Sequence, residues 1–143
     1  MSAALTQFKA TAMKGTGMKT ILLTLMFGTI LATSACAEQR GSEPLIRQAL
    51  ASGRPTLVDF GASFCIPCKR MKPILDSLKT EYAGRANVLF VDIKQERDIP
   101  GKYRIQIMPT QVFYDAKGKE VKRHLGFMDK PEILAEFKAL GVK

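Results

Sequence analysis

The sequence predicts an α/β domain, a small mixed β-sheet with helices on both faces, and three observations carry that prediction. Two short apolar runs, residues 56–60 (TLVDF) and 87–93 (NVLFVDI), bracket a stretch whose apolar residues recur at helical spacing; this is the pattern of a βαβ unit with a right-handed crossover. Two further strand-like runs, residues 110–114 and 121–125, flank the turn signal Asp115-Ala-Lys-Gly-Lys119, as in a β-hairpin. An amphipathic stretch after Asp129 supplies a last helix, and strands interleaved with helices are stable only as layers.

The composition agrees with one such domain. The chain has 143 residues, 46% hydrophobic and 24% charged, enough for one ordinary core and too few for two. Seven prolines and eleven glycines at this hydrophobicity exclude a collagen-like or wholly disordered chain, and three cysteines cannot staple a disulfide-dense miniprotein. No internal repeat or low-complexity segment is present. The net charge is +9, of which +6 remains in residues 38–143 once Lys9, Lys14 and Lys19 are set aside. That excess weakly favours acidic partners or anionic surfaces. Nucleic acid is not an expected partner, because the basic residues are interleaved with acids and form no Arg-rich run or basic-aromatic alternation.

Residues 21–31 (ILLTLMFGTIL) are uncharged and apolar, follow Lys14 and Lys19, and precede the small-residue stretch 32–37 (ATSACA). This order is that of a secretory signal peptide. The run falls well short of the roughly 20 apolar residues that span a bilayer, so export and cleavage is the preferred reading over a permanent anchor. Ala35-Cys36-Ala37 fits a small-x-small cleavage pattern that leaves Glu38 as the new terminus. Residues 1–37 are thus read as a signal peptide with an over-long start, since Met18-Lys19-Thr20 could begin such a signal itself, and residues 38–143 as the folded domain. Cys36 also resembles a lipoprotein processing site, at which its thiol would be acylated, although Thr33 stands where such sites usually carry Leu. The expected location is therefore periplasmic or otherwise extracytoplasmic, with a lipid anchor through Cys36 as the competing arrangement.

The elements follow in order. Ser42 is an N-cap candidate before Pro44, with Leu45, Ile46, Ala49 and Leu50 on one helical face and Gly53 as a stop. Residues 56–60 read as a strand covered on both sides, and residues 87–93 as a second buried strand. Between them Met71, Ile74, Leu75, Leu78 and Tyr82 make one helical stripe. A short helical stretch is expected at 98–103. Asp129 with Glu132 three residues on forms a capping-box pattern ahead of Ile133, Leu134, Phe137 and Leu140.

The chemistry concentrates in Phe64-Cys65-Ile66-Pro67-Cys68, between the first strand and the helix it feeds. Free N–H groups and the macrodipole at a helix start favour negative charge, so a cysteine there is a thiolate nucleophile near neutral pH. Cys65 takes that role. Cys68, one turn on, can attack a mixed disulfide and leave the pair oxidised. Two other chemistries fit the same spacing. Half of a zinc site is one, but the remaining ligand candidates are Cys36 and His124, the only histidine, which falls in a hairpin strand and reads as a surface or packing residue. An inert structural disulfide is the other, though so short a loop gains little from cross-linking. No metal site is expected.

The run from Val58 to Pro73, with Met108-Pro109-Thr110 and Gly126, resembles the thioredoxin family in order and spacing from about Arg54 to Leu140. The resemblance implies a thioredoxin fold and a protein-disulfide reductase whose only redox group is the Cys65–Cys68 pair, with no separate cofactor. It matches Asp59 to a buried carboxylate that shuttles a proton for Cys68. It matches Pro109 to a cis-proline lying against the disulfide, which leaves the backbone before it free to pair with an extended substrate. Pro73 matches a proline that kinks the active-site helix. Phe64, Ile66, Pro67, Met108, Gly126 and Phe127 would gather into an apolar apron around Cys65 that accepts flexible polypeptide. From the residues alone, Asp59 could instead be an N-capping or strand-end aspartate, Met108-Pro109 is simply a turn before a strand, and Met108 and Phe127 could be ordinary core.

Departures from the family pattern bear on specificity. Phe64 and Ile66 stand where the family has Trp and Gly, and the chain has no Trp. Phe90 occupies a position often held by a lysine partner of the buried acid, and Ile107 replaces a usual glycine. The resemblance to exported members implies disulfide-containing protein substrates, as in cytochrome c maturation or rescue of oxidised proteins, a membrane electron donor of the thiol-disulfide relay type, and a monomer. The length leaves no room for the inserted helical domain of the family's strong oxidase or the dimerisation arm of its isomerase. A thiol oxidant, or a binding or chaperone module on the same scaffold, are the alternatives.

Overall fold

The computed structural model describes residues 41–143. The apolar run at 21–31 and Cys36 lie outside the described residues. Eight elements follow along the chain: α1 (Ser42–Leu50), β1 (Thr56–Gly61), α2 (Ile66–Glu81), β2 (Asn87–Asp92), α3 (Ile99–Lys102), β3 (Thr110–Tyr114), β4 (Glu120–Leu125) and α4 (Lys130–Ala139). The strands form a mixed sheet in the order β2-β1-β3-β4. β1 and β2 are parallel, with Asp59 opposite Phe90, and β3 runs antiparallel to both β1 and β4. The βαβ unit, the hairpin and the closing helix are all present as the pattern predicts.

Side chains alternate across the sheet, so each strand serves two cores. Leu57, Val88 and Phe113 pack with Met71, Leu75 and Leu78 of α2 and Ile133 and Phe137 of α4 on one face. Val58, Phe60, Val91, Val112 and Tyr114 pack with Ile46 of α1 and Ile99 of α3 on the other. β1 lies in the middle and every one of its residues is buried, as its mostly apolar run leads one to expect.

Four expectations are corrected. The N-cap of α1 is Gly41, not Ser42, whose N–H instead donates to the carboxylate of Glu96 at 2.8 Å. Leu45 is exposed, so the buried stripe of α1 narrows to Ile46 and Ala49 with Leu50 at its border. β2 is an edge strand of the described sheet rather than a fully buried one: Val88 and Val91 are buried, Leu89 is half-buried and Phe90 is exposed. The stretch at 98–103 shortens to the four residues of α3. The capping box of α4 forms as read: Glu132 N–H donates to Asp129, and Asp129 N–H to the Glu132 side chain.

Candidate active site

The end of β1 and the start of α2 set the cysteines in place. Asp92 at the end of β2 accepts from the backbone N–H groups of Ser63 and Lys94, which fastens the β1–α2 loop to the neighbouring strand. Cys65 is the N-cap of α2: its Sγ accepts from the N–H of Cys68 at 3.4 Å, and its carbonyl accepts from Lys69 N–H at 3.0 Å. A sulfur in this position faces donors with no partner inside the helix, and the helix dipole adds to their field. Pro67 in the first turn costs nothing there, since its missing N–H would be one of those free donors. Cys65 and Cys68 are joined as a disulfide, their Cα atoms 5.2 Å apart. Cys65 is half-buried and Cys68 is buried, so only the first sulfur meets a partner from outside. Pro73 lies inside α2 on its exposed side.

Gly61 was not singled out by sequence and is required by the packing. A Cβ there would lie 2.9 Å from the ring of Phe90 and 3.2 Å from Cys68 Sγ, so only a bare backbone lets the second cysteine settle on the sheet. A cavity of about 140 Å³, lined by Ala62, Ser63, Cys68, Lys69, Lys72 and Phe90, opens beside that sulfur.

The Met108–Pro109 bond is cis, and the carbonyl of Met108 lies 4.0 Å from Cys65 Sγ. Pro109 is buried, and its carbonyl accepts from Gly126 N–H at 2.8 Å, which brings the β4–α4 loop to the same spot. Gly126 has φ +99°, a conformation that a side chain would strain although nothing crowds its Cβ position. Phe64 and Ile66 are open to solvent at 62% and 73% exposure, while Met108 and Phe127 are half-buried, each packed against one of the two cores. Of the six residues expected to form an apolar apron, only Phe64 and Ile66 are largely exposed. The guanidinium of Arg70 lies 4.4 Å over the Phe127 ring and covers part of the rest. His124 stands in β4, where its Nε2 is 3.1 Å from the carbonyl of Phe127. Among the described residues no group of three or more His, Cys, Asp and Glu side chains could hold a metal ion.

Asp59 is fully buried on the α2 and α4 face of β1, two residues before Gly61 and therefore about 7 Å back along the strand from the site on which Cys68 rests. Burial raises its carboxyl from the ordinary range to about 6, against an opposing hydrogen bond from Gln111. Gln111 Nε2 donates to Asp59 Oδ1 at 2.6 Å. Sequence reading overlooked Gln111, although a lone amide in the apolar run of β3 is the kind of signal that could have found it.

The thioredoxin family profile matches residues 43–139, which is most of the chain. The chain belongs to the thioredoxin family. It is 36% identical over 89 residues to the thioredoxin of Rickettsia felis, an alignment covering 62% of this chain and 83% of that one. It is 38% identical over 80 residues to thioredoxin of Staphylococcus aureus, covering 56% and 75%. The fold is similar to that of chloroplastic thioredoxin z, with a TM-score of 0.63 at 27% identity, covering 72% of this chain and 92% of that one. With thioredoxins as relatives and its CxxC cysteines bonded to each other, the protein is a thiol-disulfide oxidoreductase.

Proposed function

We propose that the protein is an exported reductant of protein disulfides, working as a monomer and recharged by a membrane thiol-disulfide donor. The observation that carries the redox reading is the pairing of a half-buried sulfur at the N-cap of α2 with a buried sulfur one turn behind it. In the reduced form, the Cys65 thiolate attacks one sulfur of a substrate disulfide; that bond breaks, and the departing substrate sulfur takes up a proton. Asp59 accepts the proton of Cys68, whose sulfur then attacks Cys65. The second substrate sulfur leaves, and the protein pair retains a disulfide in exchange for the two electrons delivered. The Met108 backbone before the cis bond offers its hydrogen-bonding groups to an extended substrate, and Phe64 and Ile66, with Pro67, Met108, Gly126 and Phe127 around them, supply apolar contact with little selectivity. The redox pair needs no other cofactor in this scheme.

Export rests on the apolar run at 21–31 behind Lys14 and Lys19. A membrane donor follows from it, because an exported dithiol is out of reach of a cytosolic reductase. Insulin reduction tests the catalytic reading. Cys65→Ser abolishes turnover, whereas Cys68→Ser retains attack without resolution and accumulates mixed disulfides that identify the substrates. Unchanged biological activity in Cys65→Ser would leave a binding module in its place. Cell fractionation and mass spectrometry of the mature terminus distinguish a start at Glu38 from an acylated Cys36, and an unprocessed chain in the cytoplasm would refute export.

A further inference from the structure

Cross-strand neighbours place a row of side chains on the α2 and α4 face: Phe90, Asp59, Gln111 and His124 are successive partners across β2, β1, β3 and β4. The middle two are fully buried, and between them they make a single hydrogen bond, from Gln111 Nε2 to Asp59 Oδ1. Asp59 Oδ2 and Gln111 Oε1 are buried with no partner. Each such orphan costs about 1–3 kcal/mol, so the pair is kept at some expense of stability. The arrangement makes chemical sense if the carboxyl changes its protonation state. A carboxylate needs a donor and a neutral carboxyl needs an acceptor, and the amide side chain of Gln111 carries both.

We propose that Gln111 is a positioning residue for the reaction: by engaging Oδ1 it fixes the Asp59 carboxyl in one orientation and leaves Oδ2 as the oxygen that takes the proton of Cys68. The inference rests on the reading of Asp59 as proton carrier. In the resolving step the S–H bond of Cys68 breaks and an O–H bond forms on Oδ2. The electron pair left on sulfur forms the bond to Cys65, and the substrate sulfur departs with the pair of the bond it loses. Gln111 holds Oδ1 throughout, so the carboxyl does not rotate between accepting the proton and returning it. The same N–H stabilises the carboxylate relative to the acid, which keeps Asp59 able to act as a base near neutral pH although it is buried.

The surroundings leave this control to Gln111. From β2 the cross-strand partner is Phe90, and α2 brings the apolar Met71, Leu75 and Leu78 to this core; Cys68, Lys69 and Lys72 line the small cavity beside Phe90, with Lys72 paired to Asp76. From β4 it is His124, whose Nε2 faces the Phe127 carbonyl. α4 contributes the apolar Ile133 and Phe137 to this core. No charged side chain is among the causes that set the Asp59 proton affinity; burial and the Gln111 hydrogen bond are.

The test follows the Asp59 carboxyl by carbon NMR in the oxidised protein, alongside the pH dependence of the insulin-reduction rate. Gln111→Leu and the similarly sized, unbranched Gln111→Met remove the donor while keeping bulk, and two variants guard against one that fails to fold. Loss of a hydrogen bond to a charged group raises proton affinity roughly tenfold, so the Asp59 midpoint and the acid limb of the rate profile should both rise by about one pH unit. Asp59→Asn should abolish that limb, and adding Gln111→Leu to it should shift nothing further. A folded Gln111 variant with an unmoved Asp59 midpoint overturns the inference. An acid limb that persists in Asp59→Asn instead overturns the proton-carrier reading, whatever the midpoint does.

Discussion

On the face of the sheet covered by α1 and α3, the buried polar strand groups are all partnered: Thr56 Oγ1 donates to backbone carbonyls of Ala49 and Arg54, and Thr110 Oγ1 to that of Ile107. On the face covered by α2 and α4, Asp59 and Gln111 share one bond and leave two oxygens unmatched. The first is a folding face, with Phe60 and Tyr103 in ring contact at 5.1 Å within an apolar cluster. The second gives up part of its polar pairing. On the reading proposed above, that loss goes with the proton that the Asp59 carboxyl takes up and gives back. One sheet thus has a core on each side and leaves its unmatched buried polar atoms on only one of them, the working face on the reading proposed for Asp59.

The most severe way to test that division is to open the folding face. Phe60 is fully buried there, and Phe60→Ala should cost about 3–5 kcal/mol in chemical denaturation. Its specific rate of insulin reduction, measured where the variant is still folded, should stay within about twofold of the parent. A large loss of rate in the folded variant would mean that the two faces are not independent.

Next in size is the pH dependence of the working face. The folded Asp59 carboxyl lies at about 6, above its ordinary value of 3.8. Between those values the folded protein holds a proton that the unfolded chain has released, so stability contributed by this group is full at low pH and lost as pH rises through about 6. The difference is worth about 3 kcal/mol. Denaturation of the oxidised protein, in which the cysteines do not titrate, should show that decline, and Asp59→Asn should flatten it. A profile that Asp59→Asn leaves unchanged would place Asp59 in contact with water.

The same face is held at its end by the α4 cap. Asp129→Ala removes the acceptor of the Glu132 N–H and should cost about 1 kcal/mol in thermal or chemical unfolding, leaving the acid limb of the rate profile where it was. A shifted limb would show that the cap, and not only the sheet, positions the carboxyl.

How much of this division could be read from the chain follows from the range of each interaction. β1, α2, the hairpin turn and the α4 capping box depend on neighbours within a few residues, and all were legible. The cap of α1 was not, because the group that meets the Ser42 N–H is Glu96, far along the chain. The exposure of β2 was illegible for a related reason: an apolar run shows that a strand will form, but its place in the sheet order decides how much is covered. In the site, the cysteines and the cis peptide bond were visible through motif and resemblance. Gly61 and Gln111 were missed since their roles exist only across strands, where Phe90 and Cys68 crowd one and Asp59 receives the other.

The smallest expected effect lies on the folding face, and its sign is the opposite of that of Asp59. Glu43 in α1 ties that helix to α3, accepting from Lys102 Nζ and from the hydroxyl of Tyr103 at 3.2 Å. The Lys102 hydrogen bond, foremost, holds the Glu43 carboxyl below its ordinary range against the pull of burial. A depressed carboxyl stabilises the fold above its unfolded value and loses that contribution as pH falls through its folded one, so this pair strengthens the protein over the rise in pH that weakens it at Asp59. Lys102 is largely in water, which screens the pair and limits its worth to about 0.5 kcal/mol. Glu43→Gln should therefore cost about that much at pH 7 and progressively less as acid protonates the folded Glu43, with the pH 7 cost shrinking in added salt. If Glu43→Gln were to cost more than Asp129→Ala, the α1 to α3 junction would be a principal support of the folding face rather than a trim at its edge.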